Sequence, residues 1–169
     1  MMPDRILKPV PITAERFAPF GEVIRAGAGA RGSMNEARFD RYDDLARIDI
    51  DTAGDGRTGV SIVRSRAATT LPYRFDLVER HPLGSQAFVP LAAFRFVVVV
   101  AEPGESVEAE DLHAFVTSGR EGINYRRGTW HMPLIALAAG QEFLVIDRAG
   151  SAANCEERVL GEAVVLQAP

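Results

Sequence analysis

Apolar and polar residues alternate along most of this chain in short runs, and turn-forming residues separate the runs. The pattern is that of β-strands. In "PYRFDLVERH" (72–81), Tyr73, Phe75, Leu77, Glu79 and His81 fall on one side, and Arg74, Asp76, Val78 and Arg80 on the other. "GVSIVRS" (59–65) alternates too, with Val60 and Ile62 on one face. Further strands are expected in "SQAFVPL", "FRFVVVVA", "HAFVTS", "INYRRG", "PLIALAA", "EFLVIDR" and "AVVLQ", punctuated by "HPLG", "EPGE", "SGREG", "AAGQ" and "RAGS". "FVVVVA" (96–101) is apolar throughout, which predicts a strand buried on both faces. Many short strands at this spacing predict a mainly β fold, an antiparallel sandwich or barrel.

Helical signals are few. Thr13 is placed to cap a short helix that ends by Gly21. A turn or two is expected in "DRYDDLARID" (40–49), and a helical start in "SVEAEDLHAF" (106–115). The Gly-, Ala- and Arg-rich segment 25–39 reads as a surface loop. No repeat or linker divides residues 1–169, so one domain is expected.

Composition narrows the classes of partner. The 169 residues are 47% apolar and 25% charged with a net charge of −4, ordinary for a globular protein and no footprint for nucleic acid or a membrane surface. The single cysteine, Cys155, excludes an intrachain disulfide and fits a reducing, cytoplasmic setting. The N-terminus "MMPDRILKPVPI" lacks the apolar stretch of a signal peptide, and no apolar run is long enough to span a bilayer as a helix.

Three segments carry candidate chemistry. The strand 73–81 begins apolar and ends in Glu79 and His81, as an inward face does where a strand reaches the open mouth of a barrel. Gln86 follows just past the "HPLG" turn. In "GINYRRGTWHMPL" (122–134), Asn124, Tyr125, Arg126, Arg127, Trp130 and His131 crowd polar function into a few positions. An arginine there can fork onto a carboxylate. His131 can titrate near neutral pH or bind a metal through its neutral ring. "FLVIDRAGS" (143–151) ends a strand in Asp147 and Arg148, which suits either an ion pair with each other or ligand contact.

Together "ERHPLGSQAFVPL", "GINYRRGTWHMPLIAL" and "EFLVIDR", with "FAPFGEVI" and "FDRYDDLA" upstream, resemble the ureidoglycolate lyase family over nearly the whole chain. The resemblance implies a cupin-like, jelly-roll type β-barrel, a homodimer, and cleavage of ureidoglycolate to glyoxylate and urea in allantoin (purine) degradation. It also implies that His81, Gln86 and His131 converge at one mouth. Departures from the family pattern narrow the site. Met132 stands where many members have histidine, and Arg126 where some do, so neither position is expected to be essential. Glu79 stands two residues before His81, so the usual three-histidine cupin metal set is not available. A divalent ion (Ni, Mn or Zn), if bound, would rest on His81 and His131.

The implied substrate is small and anionic. Its elimination needs a base for the hydroxyl proton, a proton for the departing urea nitrogen, and donors for the carboxylate. Glu79, His81 and His131 are the candidate catalytic residues. Gln86, Asn124, Tyr125, Arg127, Trp130 and Arg148 are the candidate substrate contacts. Two other readings fit the same residues: a metal-dependent cupin oxygenase or isomerase, and a non-catalytic small-molecule-binding cupin.

Overall fold

The computed structural model describes residues 4–28 and 30–169. Met1–Pro3, part of the segment read as free of a signal peptide, and Gly29, in the 25–39 segment, lie outside the described residues. The strands in chain order are β1 (Arg5–Leu7), β2 (Val10–Pro11), β3 (Gly21–Ile24), β4 (Ala30–Met34), β5 (Phe39–Asp43), β6 (Arg57–Arg64), β7 (Tyr73–Arg80), β8 (Gln86–Pro90), β9 (Phe96–Ala101), β10 (His113–Val116), β11 (Gly122–Tyr125), β12 (Trp130–His131), β13 (Ile135–Ala136), β14 (Glu142–Ala149) and β15 (Glu156–Leu166). One helix, α1 (Ala14–Phe17), and a 3-10 turn at Ala109–Asp111 interrupt them.

The strands form two sheets and a separate hairpin. One sheet runs β1-β15-β7-β12-β9-β10-β2, with β13 also on β9; the other runs β3-β11-β8-β14-β6. The fold is mainly β and cupin-like, as expected. Two pairings depart from the antiparallel rule, since β1 runs parallel to β15 and β2 parallel to β10.

Strand β9 shows how the core is divided. Its side chains alternate between two clusters and all are buried. Phe96, Val98 and Val100 face the second sheet and pack with Phe115, Ile123, Tyr125 and Phe143. Val97, Val99 and Ala101 face the other way, onto Val78, Leu112, Trp130, Val164 and Leu166. A strand with two buried faces has no polar side, which is why "FVVVVA" lacks alternation.

Alternation fails instead in β7. Phe75 and Val78 are both buried in one cluster while Leu77 is 41% exposed. The pairing of β7 with β15 shifts register between Val159 and Val164, and the strand face rotates over that irregularity. Phe75 therefore lies on the side of Val78, while Leu77 keeps the side of Glu79.

Several local expectations hold and others are corrected. Thr13 caps α1 by accepting a hydrogen bond from Arg16 N at 3.1 Å. The helix ends at Ala18, and Gly21 opens β3. The segment 40–49 is not helical. Its start is β5, which pairs with β4 as a hairpin, so the 25–39 loop is partly strand as well. Both β9 and β15 lie inside their sheet, β15 between β1 and β7.

Candidate active site

One strand pairing and two backbone hydrogen bonds bring the two histidines together. Strand β12 lies between β7 and β9, with His131 opposite both Glu79 and Val100. Val100 faces the inter-sheet core, so His131 and Glu79 face it too. The turn that carries the chain from β11 to β12 is tied down on both sides: Gly128 N donates to His81 O at 3.0 Å, and Arg126 N donates to Phe20 O at 2.9 Å. That turn sets the register of His131 against the end of β7.

The resulting geometry is close. The His81 and His131 rings are 5.0 Å apart between centroids. His131 Nε2 lies 3.5 Å from Glu79 Oε1, a charge contact at the edge of hydrogen-bonding range. His131 is buried, and its ring stacks on Tyr125 at 4.5 Å and 21°.

Both rings are held by backbone carbonyls. His81 Nδ1 is 2.6 Å from Asn154 O, and His131 Nδ1 is 2.9 Å from Thr129 O. A carbonyl oxygen only accepts, so each Nδ1 carries the proton. In the neutral rings the Nε2 lone pairs are then free, and both Nε2 atoms are buried without a hydrogen-bond partner. The Tyr125 hydroxyl is buried and unpartnered as well. Each such group costs about 1–3 kcal/mol if nothing satisfies it. Three of them around one carboxylate mark a place built for a ligand.

Electrostatics agree with that reading. The His131 contact holds the Glu79 carboxyl below the ordinary carboxylate range, against the opposing effect of burial. The charges of both histidines and the Cys155 thiol add to the lowering. Burial, and then the Glu79 charge, push the Tyr125 phenol well above its usual value. Burial and the same carboxylate push the Cys155 thiol up to about 11. The site thus holds an ionised carboxylate beside two imidazoles and a phenol.

Glu79, His81 and His131 are the residues that could hold a divalent cation if their donor atoms drew closer together. Two ligands bound at about 2.1 Å to one ion stand roughly 3–3.5 Å apart. The donor atoms of Glu79, His81 and His131 all lie within 4.8 Å of one another. The carbonyl-held Nδ1 protons are the outer support that metal-binding histidines use.

The other sequence candidates divide by face. Gln86 lies opposite Tyr125 on the same face, and its Nε2 donates to Asp147 Oδ2 at 3.2 Å. Arg127 reaches Asp49 at 2.8 Å and Asp51 at 4.0 Å, while its Nε is buried and unpartnered. Trp130 turns the other way from His131, into the outer core, where its Nε1 donates to Gly104 O at 3.0 Å. Asn124 also points away, donating to Glu22 Oε2 and to Arg47 O. Arg148 alternates with inward-facing Asp147 and donates to the carbonyls of Asp51 and Ala53. No Asp147–Arg148 ion pair is present among the described residues. Trp130, Asn124 and Arg148 therefore act as scaffold here.

The reading from sequence missed Thr129, Asn154 and Cys155. The first two act through their backbone carbonyls, which carry no residue signature. Cys155, 3.5 Å from Glu79 Oε2, is brought there only by the pairing of β15 with β7.

A fold of this kind, with two histidines and a carboxylate meeting between its sheets, is cupin-like. Comparison with known sequences takes the assignment further. A sequence profile of the family described as ureidoglycolate lyase matches residues 4–167. A protein of Azotobacter vinelandii named ureidoglycolate lyase is 45% identical over 158 residues, 94% of each chain. One of Burkholderia mallei is 45% identical over 156 residues, 92% of this chain and 90% of its own. One of Pseudomonas syringae pv. syringae is 42% identical over 157 residues, 92% of this chain and 91% of its own. The chain belongs to the ureidoglycolate lyase family.

Proposed function

We propose that the protein is a ureidoglycolate lyase that splits (S)-ureidoglycolate into glyoxylate and urea, a step of allantoin breakdown. The observation that carries this reading is the convergence of Glu79, His81 and His131 in a chain that matches the family from end to end. The two rings and the ionised carboxylate form one close cluster. His81 Nε2 takes the proton of the substrate hydroxyl as the carbon–nitrogen bond breaks. The electrons of that bond pass to the urea nitrogen, and the oxygen's electrons form the aldehyde of glyoxylate. His131, which enters the step protonated on Nε2 with Glu79 balancing its charge, delivers that proton to the nitrogen. Gln86 is placed to hydrogen-bond the ureido group. A divalent ion on Glu79, His81 and His131, when bound, would polarise the hydroxyl oxygen.

The assay is direct. Glyoxylate release from (S)-ureidoglycolate, followed through a coupled reductase, should rise in proportion to the protein and persist when oxygen is excluded. No release above the buffer rate would remove the lyase reading, and loss of activity without oxygen would point to an oxygenase.

Arg127 is the proposed anchor for the substrate carboxylate. Asp49 occupies one arm of its guanidinium, and its unpartnered Nε leaves a donor. Arg127→Ala is expected to raise KM about tenfold and to lower kcat less, as for a contact that holds ground and transition states alike. An unchanged KM would assign the carboxylate to other groups.

The working form is proposed to be a homodimer. Among the described residues the β4–β5 hairpin pairs with no other strand, and its Met34 and Phe39 are 44% and 57% exposed. A lone hairpin is at best marginally stable in water, so an ordered one calls for something to pack on. Val60 and Ile62, 68% and 63% exposed on edge strand β6, offer a second uncovered apolar face. Light scattering should give about twice 18.4 kDa. A mass of one chain at every concentration would exclude the dimer. No helix among the described residues is long and apolar enough to cross a membrane. A cytoplasmic setting, where the exposed free thiol of Cys155 stays reduced, is part of the same proposal.

A further inference from the structure

The Tyr125 hydroxyl stands out among the polar groups of the core. Tyr125 is 2% exposed, and its hydroxyl meets no donor or acceptor among the described residues. Its ring is fixed on every side. It stacks on His131, takes Phe88 edge-on with centroids 6.0 Å apart, and lies near Phe17 at 6.4 Å. Phenylalanine would fill the same apolar pocket without a polar atom left unsatisfied. Packing therefore accounts for the ring and not for the oxygen.

The neighbours of that oxygen limit what it can serve. His81 Nε2 and Glu79 present a lone pair and a negative charge beside His131, whose Nε2 proton is committed to the departing nitrogen. The first two are suited to take a proton or hold a cation, and none of the three is free to steady negative charge on a ligand oxygen. Tyr125 is the buried hydroxyl donor stacked directly on this group.

We propose that the Tyr125 hydroxyl donates a hydrogen bond to the C2 oxygen of a bound 2-hydroxy acid, steadying the charge that gathers there as the proton leaves. The inference rests on the lyase reading for its substrate, but the contact itself is to the 2-hydroxycarboxylate portion alone. In the elimination, the base takes the hydroxyl proton, the oxygen becomes the carbonyl oxygen of glyoxylate, and the carbon–nitrogen electron pair leaves with urea. Tyr125 keeps its own proton throughout and contributes as a preorganised donor.

Binding of two small probes separates this contact from turnover. Glycolate carries the C2 hydroxyl and acetate lacks it. Wild-type protein, titrated by ligand-detected NMR, should bind glycolate at least about tenfold more tightly than acetate. Tyr125→Phe should erase that preference and leave the thermal midpoint unchanged or raised, because the hydroxyl has no partner to lose. With ureidoglycolate, the same variant should lose about a hundredfold in kcat with little change in KM. The proposal is overturned if glycolate and acetate bind wild-type protein equally. It is also overturned if Tyr125→Phe keeps the glycolate preference, or melts markedly lower than wild type. Failure of the wild-type protein to release glyoxylate, with the Tyr125-dependent preference intact, would count against the lyase reading and not against this contact.

Discussion

His131→Asn is expected to lower turnover of ureidoglycolate by about a hundredfold or more, the size of effect that follows loss of a general acid or base. The variant removes the Nε2 that faces Glu79 at 3.5 Å and the ring that stacks on Tyr125. His131 is buried, so the smaller side chain also leaves a cavity, and a stability cost of about 1–3 kcal/mol accompanies the loss. The loss of activity must therefore be read on protein shown by its melting curve to be folded. His81→Asn is the companion variant. It is only half-buried, and an asparagine amide can still donate toward Asn154 O, so it should fold more nearly as wild type does while losing turnover to a similar degree. Near-normal kcat in folded samples of both variants would show that neither ring takes part in the chemistry.

Gly21→Ala should be the most damaging of the small substitutions, and its cause is steric. A Cβ at position 21 would fall 1.8 Å from Asn124 O, with Asn124 C at 2.9 Å and Arg126 N at 3.0 Å. All three are backbone atoms of β11 and the turn beyond it, so no side chain can swing aside. Gly21 pairs directly with Tyr125. Relief requires β3 to separate from β11, which would also displace the turn that aligns His131. The expected cost is at least about 3 kcal/mol, toward the upper end for overpacking a buried site. Thermal or urea unfolding measures it. A midpoint within a degree or two of wild type would mean that β3 does not hold β11 in place.

The strands were legible in the sequence because alternation and turn residues are local signals. The uniform apolar run at 96–101 correctly announced a strand buried on two faces. Phe75 was misassigned to the side of Glu79 because the face of β7 turns over at an irregularity in its partner β15, far away in the chain. Segment 40–49 was misread as helical because its acidic and arginine residues suit a helix as well as a hairpin. Only pairing with β4 decides between them.

At the site, Glu79, His81 and His131 were visible as polar groups at strand ends. Trp130 and Asn124 were grouped with them by proximity in sequence, although in a strand each immediate neighbour of an inward residue points outward. Trp130 next to His131, Asn124 next to Tyr125, and Arg148 next to Asp147 all follow that rule. Applying it strictly would have removed all three from the pocket. The carbonyls of Thr129 and Asn154, which fix the tautomer of each ring, belong to the folded chain alone.

The most direct test of the central claim is a product balance on (S)-ureidoglycolate by carbon NMR, with the spontaneous rate subtracted, for wild-type protein and the His81→Asn and His131→Asn variants. The account predicts glyoxylate and urea in equal amounts from wild-type protein, no ammonia, and rates at least about a hundredfold lower from both variants. Ammonia and carbon dioxide in place of urea, or equal product from wild type and variants, would contradict it.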